Sequence, residues 1–145
     1  MTFPMAQNQA YQRAAGRYGS DTTATASPAR LLVMLYDRLS LDLTRAHQAQ
    51  LDGDREVAND NIAHAQDIIA ELLTSLDVDA WEGGHNLASL YRWLIRELIA
   101  ANTRMDATRT AGCITVVEPL RQAWTEAMTM AASPTAGTPL LGASA

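Results

Sequence analysis

Between Pro28 and Pro119 the chain runs ninety residues without a proline, and that absence constrains the fold more than any motif does. Proline ends or kinks a helix because it lacks an amide donor and crowds the carbonyl one turn back. A proline-free stretch rich in Ala and Leu therefore favours long helices. The whole chain has 145 residues, enough for one domain with a real hydrophobic core and too few for two comfortable ones.

Capping residues divide the stretch. Ser27 followed by Pro28 reads as a helix start, because the serine oxygen can accept from a free amide while proline occupies a position that needs none. Arg30 stands where a full capping box would place an acid, so only the serine half is present. The first helix is expected to reach Leu51, with Gly53 as a left-handed stop and Asp54 as the next cap. So short a turn implies antiparallel neighbours. A second helix over 54–76 gives way to a loop ending in Gly83 and Gly84. A third runs from His85 to Thr103, and Asp106 caps a fourth that continues to Ala131, with Pro119 expected to kink or split it near Val117. The fold predicted is all-α, an antiparallel four-helix bundle over residues 27–131. Residues 1–26 read as a mobile N-terminal arm with room for a short extra helix around Ala6–Ala15, and residues 132–145, with Pro134, Gly137, Pro139 and Gly142, as a disordered tail.

At 100° per residue the faces of these helices can be laid out. The second is simplest: Ala58, Ile62, Ala65, Ile69, Leu72 and Leu76 form one stripe, while Glu56, Asp60, Asp67 and Glu71 face away. The first has a core stripe of Leu32, Leu35, Tyr36, Leu39, Leu43 and Ala46, and beyond it Val33, Met34 and Leu41 are apolar in excess. In the third, Leu87, Leu90, Tyr91, Leu94 and Leu98 are core, Ile95 and Ile99 widen the band on one flank, and Trp93 lies on the other. The fourth has Cys113, Val117, Leu120, Trp124 and Met128 as core, with Ile114 and Val116 at the margins. A bundle helix needs an apolar band only a little over ~100° wide, and apolar surface beyond that marks an interaction site. Val33, Met34, Leu41, Ile95, Ile99 and Val116 are the partner-binding residues this reading selects. The alternative is that the arm, the tail or a second copy covers them, which would make the chain a structural bundle that self-associates through its apolar faces.

Other function classes find little support. The net charge is −5 and all eleven basic residues are Arg, with no basic stripe interleaved with aromatics, so neither nucleic acid nor an anionic membrane is the expected ligand. The longest apolar runs fall far short of the ~20 residues that span a bilayer, which leaves membrane insertion unexpected and a cytoplasmic location the natural one. One cysteine, Cys113, allows no internal disulfide. His47, His64 and His85 lack metal-ligand spacing, and Asp60 with His64, one turn apart, reads as a solvated pair. No Glu-x-x-His pair, phosphate loop or nucleophile–base motif is present, so neither an enzyme nor a cofactor is expected.

The segment Thr25-Ala26-Ser27-Pro28-Ala29-Arg30-Leu31-Leu32-Val33-Met34-Leu35-Tyr36-Asp37 resembles the signature of FliS, the flagellar secretion chaperone family. Ala65-Gln66-Asp67-Ile68-Ile69, Glu71-Leu72, Ser75-Leu76-Asp77, Asn86-Leu87, Leu90-Tyr91, Leu98-Ile99, Ala101-Asn102, Leu120-Arg121 and Ala123-Trp124 are similar to later family blocks in the same order. The likeness covers roughly residues 18–128. It implies an antiparallel helical bundle that binds the disordered C-terminal segment of flagellin in the cytoplasm, prevents premature polymerisation and assists delivery to the type III export gate. The gate protein meets such a chaperone together with its client, and a flagellar assembly factor is a further candidate partner. Tyr18 is placed like a tyrosine of the family's N-terminal arm, which implies a displaceable plug over the client groove. Asp42 departs from the family, standing where members often carry an apolar or aromatic residue.

Overall fold

The computed structural model describes residues 27–80 and 82–132. The arm at 1–26, Tyr18 and the tail beyond Ala132 lie outside the described residues. Four helices follow one another: α1 (Pro28–Leu51), α2 (Arg55–Ser75), α3 (Gly84–Arg104) and α4 (Ala107–Ala132). No strand occurs among the described residues.

Local chemistry sets most of the boundaries. Ser27 Oγ accepts from the Arg30 amide at 3.1 Å, with Pro28 in the first turn. Gly53 takes φ 75°, the left-handed conformation that costs glycine nothing, and Asp54 Oδ1 then accepts from the Val57 amide at 3.1 Å. Asp106 Oδ1 accepts from the amides of Thr108 and Arg109 at 3.0 and 3.2 Å. The end of α3 is less conventional: Met105 closes it at φ 51°, a left-handed position held without a glycine. At the start of α3, a β-carbon on Gly84 would lie 2.3 Å from the Val78 carbonyl oxygen. The loop after α2 folds back tightly there, and only glycine fits.

Of the kink or split expected at Pro119, the split does not occur, since α4 runs as one helix across it. The proline itself is exposed. Its lost ladder bond and ring crowding cost about 3 kcal/mol, while Val117 and Trp124 on either side are buried in the core, each worth roughly 1.5–3 kcal/mol. The packing on both sides holds the helix through the defect.

The helices form a ring in chain order: α1 packs on α2 and α4, α3 packs on α2 and α4, and the pairs α1/α3 and α2/α4 sit diagonally. Their facing stripes make one core, centred on Tyr36, Leu39 and Leu43 of α1, Ile62 and Ile69 of α2, Leu94 and Leu98 of α3, and Cys113 and Val117 of α4. Tyr36 tilts against Trp124, with ring centroids 6.1 Å apart. At the end holding the α1/α2 and α3/α4 turns, the buried Gln50 amide donates to the Ala101 carbonyl at 3.0 Å and accepts from Thr110 Oγ at 2.6 Å. One side chain thus ties α1, α3 and α4 in register, with its polar atoms satisfied as burial requires.

Candidate functional site

The surplus apolar residues separate into three groups. Met34 (51% exposed), Leu41 (40%) and Ile99 (54%) lie open to solvent. Ile95 and Val116 are half-buried and packed against the core cluster. Val33 is only 7% exposed and belongs to the core, which corrects its assignment as surplus. The reason lies in the ring. Helix α1 is flanked by α2 on one side and α4 on the other, so its buried residues from Ala49 round to Val33 span about 200° at helical spacing.

The α1/α4 seam beside Val33 is polar at its rim. Ser40 Oγ donates to Glu118 Oε1 at 3.3 Å, and Arg121 binds both Glu118 (2.7 Å) and Asp37 (3.0 Å). The Arg121 guanidinium holds the Glu118 carboxyl below the usual carboxylate range. On the opposite flank of α1, Asp42 is fully buried and accepts from Arg38 Nε at 2.9 Å, while His64 of α2 bonds its other oxygen. His64 therefore pairs across the α1/α2 interface, in contrast to the solvated pairing with Asp60 expected from spacing alone. Asp42 sits where an apolar residue would fit because two half-exposed side chains bring their donors to it.

The exposed candidates do not converge on one groove. Met34 and Leu41 occupy the outward face of α1, whereas exposed Ile99 and half-buried Ile95 lie on the α2-side flank of α3, the diagonal partner. Asn102, on the Ile95 and Ile99 flank of α3, donates to Asn59 Oδ1 of α2 at 2.7 Å, so these isoleucines border the α2/α3 seam. Val116 borders the other seam of α3: Arg109, two turns earlier on the same face of α4, donates to Glu97 of α3 at 2.9 Å. Trp93 (exposed) lies on that α4-side flank of α3. Leu51 and Val57, also exposed, bracket the α1/α2 turn, where a helix end carries too little periodicity for the sequence to assign a face.

Chemistry beyond binding has few participants. Among the described residues, no three His, Cys, Asp or Glu side chains gather as a metal site, and no helix is long and apolar enough to cross a membrane. Burial pushes the Cys113 thiol up to about 12, with the Glu97 charge adding to it, the opposite of what a nucleophilic thiol needs.

The family profile described as "Flagellar protein FliS" matches residues 8–131. A "Flagellar secretion chaperone FliS" of Bacillus subtilis (strain 168) is 32% identical over 111 residues, covering 77% of this chain and 83% of that protein. The like-named protein of Salmonella typhimurium is 32% identical over 103 residues, 69% of this chain and 76% of its own length. That of Escherichia coli (strain K12) is 29% identical over 106 residues, 72% and 78% respectively.

Proposed function

The chain belongs to the FliS family of flagellar proteins, and from that premise we propose that it is a cytoplasmic export chaperone that binds the disordered C-terminal segment of flagellin, prevents premature polymerisation and assists delivery to the flagellar type III export gate. A flagellar secretion chaperone, as its relatives are named, has to hold an aggregation-prone segment without keeping it. The observation that carries the reading is the exposure of Met34, Leu41 and Ile99 over a core already closed beneath them. A disordered client can lay apolar helical positions onto such faces and be ordered by them, losing ~2–5 kcal/mol of the gross interaction to that ordering. Ile95 and Val116 contribute through their exposed edges, and Val33, buried in the core, is left out of the client surface.

Light scattering and calorimetry of the pure protein with a flagellin C-terminal peptide test this directly. A one-to-one complex is expected. A concentration-dependent dimer indifferent to the peptide would assign the faces to self-association. The arm has its own test: with Tyr18 as a displaceable plug, deleting residues 1–19 tightens peptide binding, and unchanged or weaker affinity removes the plug.

A further inference from the structure

The apolar surface of α3 is set among arginines. Arg92, Ile95, Arg96 and Ile99 recur at spacings of three, four and seven, so they share one helical face. Arg92 and Arg96 are exposed and form no ion pair among the described residues. The only acid of α3, Glu97, turns to Arg109 of α4 instead. Across the seam Asn59 of α2 bonds Asn102, and Ala63, Gln66 and Ala70 follow it on the same face opposite the arginines, while the charged pair Arg55 and Glu56 lines the seam only at its Asn102 end. Helix α1 repeats the design, with exposed Arg45 one turn beyond Leu41. These are local reversals in a chain of net charge −5, among whose exposed acids Asp37 lies on α1, Glu56, Asp60 and Asp67 on α2 and Glu126 on α4.

The geometry points to a specific occupant for the α2/α3 seam: an amphipathic helical segment whose apolar stripe is bordered by Asp or Glu, its stripe on Ile95 and Ile99 and its acids opposite Arg92 and Arg96. This rests on the reading of the chain as a client-binding chaperone and adds the client's charge pattern. Complementary rim charges speed encounter and reject like-charged partners more than they add raw affinity, which suits a chaperone that must choose one segment and later release it. The chain's own first 26 residues carry Arg13 and Arg17 against one acid, Asp21, so they complement this rim less well than an acidic segment does.

The test titrates the full chain with three designed peptides of about 20 residues, long enough for helix formation, sharing one leucine stripe and flanked by Glu, Gln or Arg. At low salt the Glu peptide is expected to bind about tenfold more tightly than the Arg peptide, the sum of a few modest exposed pairs. The gap closes in high salt as screening shortens the reach of charge, and Arg92→Gln with Arg96→Gln removes most of it while far-UV helicity stays unchanged. Equal binding of the three peptides, or a Glu preference untouched by the double substitution, overturns the inference. A dimer of the pure protein that the double substitution dissolves also overturns it, assigning the rim to the acidic α2 face of a second copy. A flagellin peptide separates the two levels: if it binds while the Glu preference is absent, the charge inference falls and the chaperone reading stands. If the preference is present while the flagellin peptide fails to bind, the charge inference stands and the flagellin reading falls.

Discussion

Tyr36 of α1 and Tyr91 of α3 meet hydroxyl to hydroxyl, 2.6 Å apart, across the diagonal of the bundle. Both rings are buried, so this bond, with the Gln50–Ala101 bond nearer the end of the bundle, ties together two helices that sit diagonally. Burial, outweighing the hydrogen bonds, pushes the Tyr36 phenol up to about 12 from its ordinary 10.0. The unfolded tyrosine ionises first as pH rises, so the stability tied to the neutral folded phenol is complete below pH 10 and is lost as pH climbs toward about 12. Denaturant melts across that window should show a falling midpoint, and Tyr36→Phe should flatten the fall. At neutral pH, either single Phe variant should lose about 1 kcal/mol, and the double variant less than the sum, because no orphaned hydroxyl then remains.

Cys113 gives a reporter for the opening of the core. Its thiol is buried and raised to about 12 from the ordinary 9.0. A thiol-specific alkylating reagent at pH 8 should leave the native protein unlabelled and modify it fully in denaturant, with labelling kinetics that follow unfolding. Rapid labelling of the folded protein would place Cys113 outside the core.

Asp42 should discriminate sharply between two substitutions. Asn keeps the volume and breaks the charge-assisted bonds from Arg38 and His64, at about 1–3 kcal/mol. Leu leaves no buried polar group behind, and both former partners are half-exposed and can turn to water, so Asp42→Leu should come within about 1 kcal/mol of wild type or exceed it. Thermal melts of the two variants decide the order.

Gly84→Ala should destabilise by about 1–3 kcal/mol, the usual scale of overpacking, since the new methyl meets the Val78 backbone oxygen, which cannot swing away as a side chain would. The same change at Gly112, with nothing within 4 Å of the added carbon, should be neutral or stabilising by up to about 1 kcal/mol, as expected in a helix.

Met34→Asp and Ile99→Asp should leave far-UV helicity and melting nearly intact while weakening flagellin peptide binding. Val33→Asp should instead unfold the protein, because it places a carboxylate in the core cluster. Parallel melting and titration of the three variants check the partition between core and surface.

The helix boundaries and their caps were readable because capping is a contact between residues two or three apart, written in the chain itself: Ser27 with Arg30, Asp54 with Val57, Asp106 with Arg109. The α2 stripe was readable for a similar reason, since one face simply turns inward. What sequence could not supply is the pairing of helices. The burial of Val33 is invisible to helical spacing because the width of the buried arc of α1 depends on two neighbours at once. Spacing pairs His64 with Asp60, whereas its partner, Asp42, lies 22 residues away and is brought near only by the α1/α2 packing. Met105 closing α3 in the left-handed conformation had no glycine to announce it.

The diagonal placement of α1 and α3 has a kinetic meaning. On the proposed reading, a client segment reaching the exposed residues of both helices is a bivalent ligand, in which the hold on one helix keeps the other portion at a high local concentration. Each contact alone can then be feeble while the whole remains long-lived. Such a ligand need not leave in one step. It can be unthreaded from one end, one face after the other, so that handing it on takes a sequence of small barriers in place of a single large one.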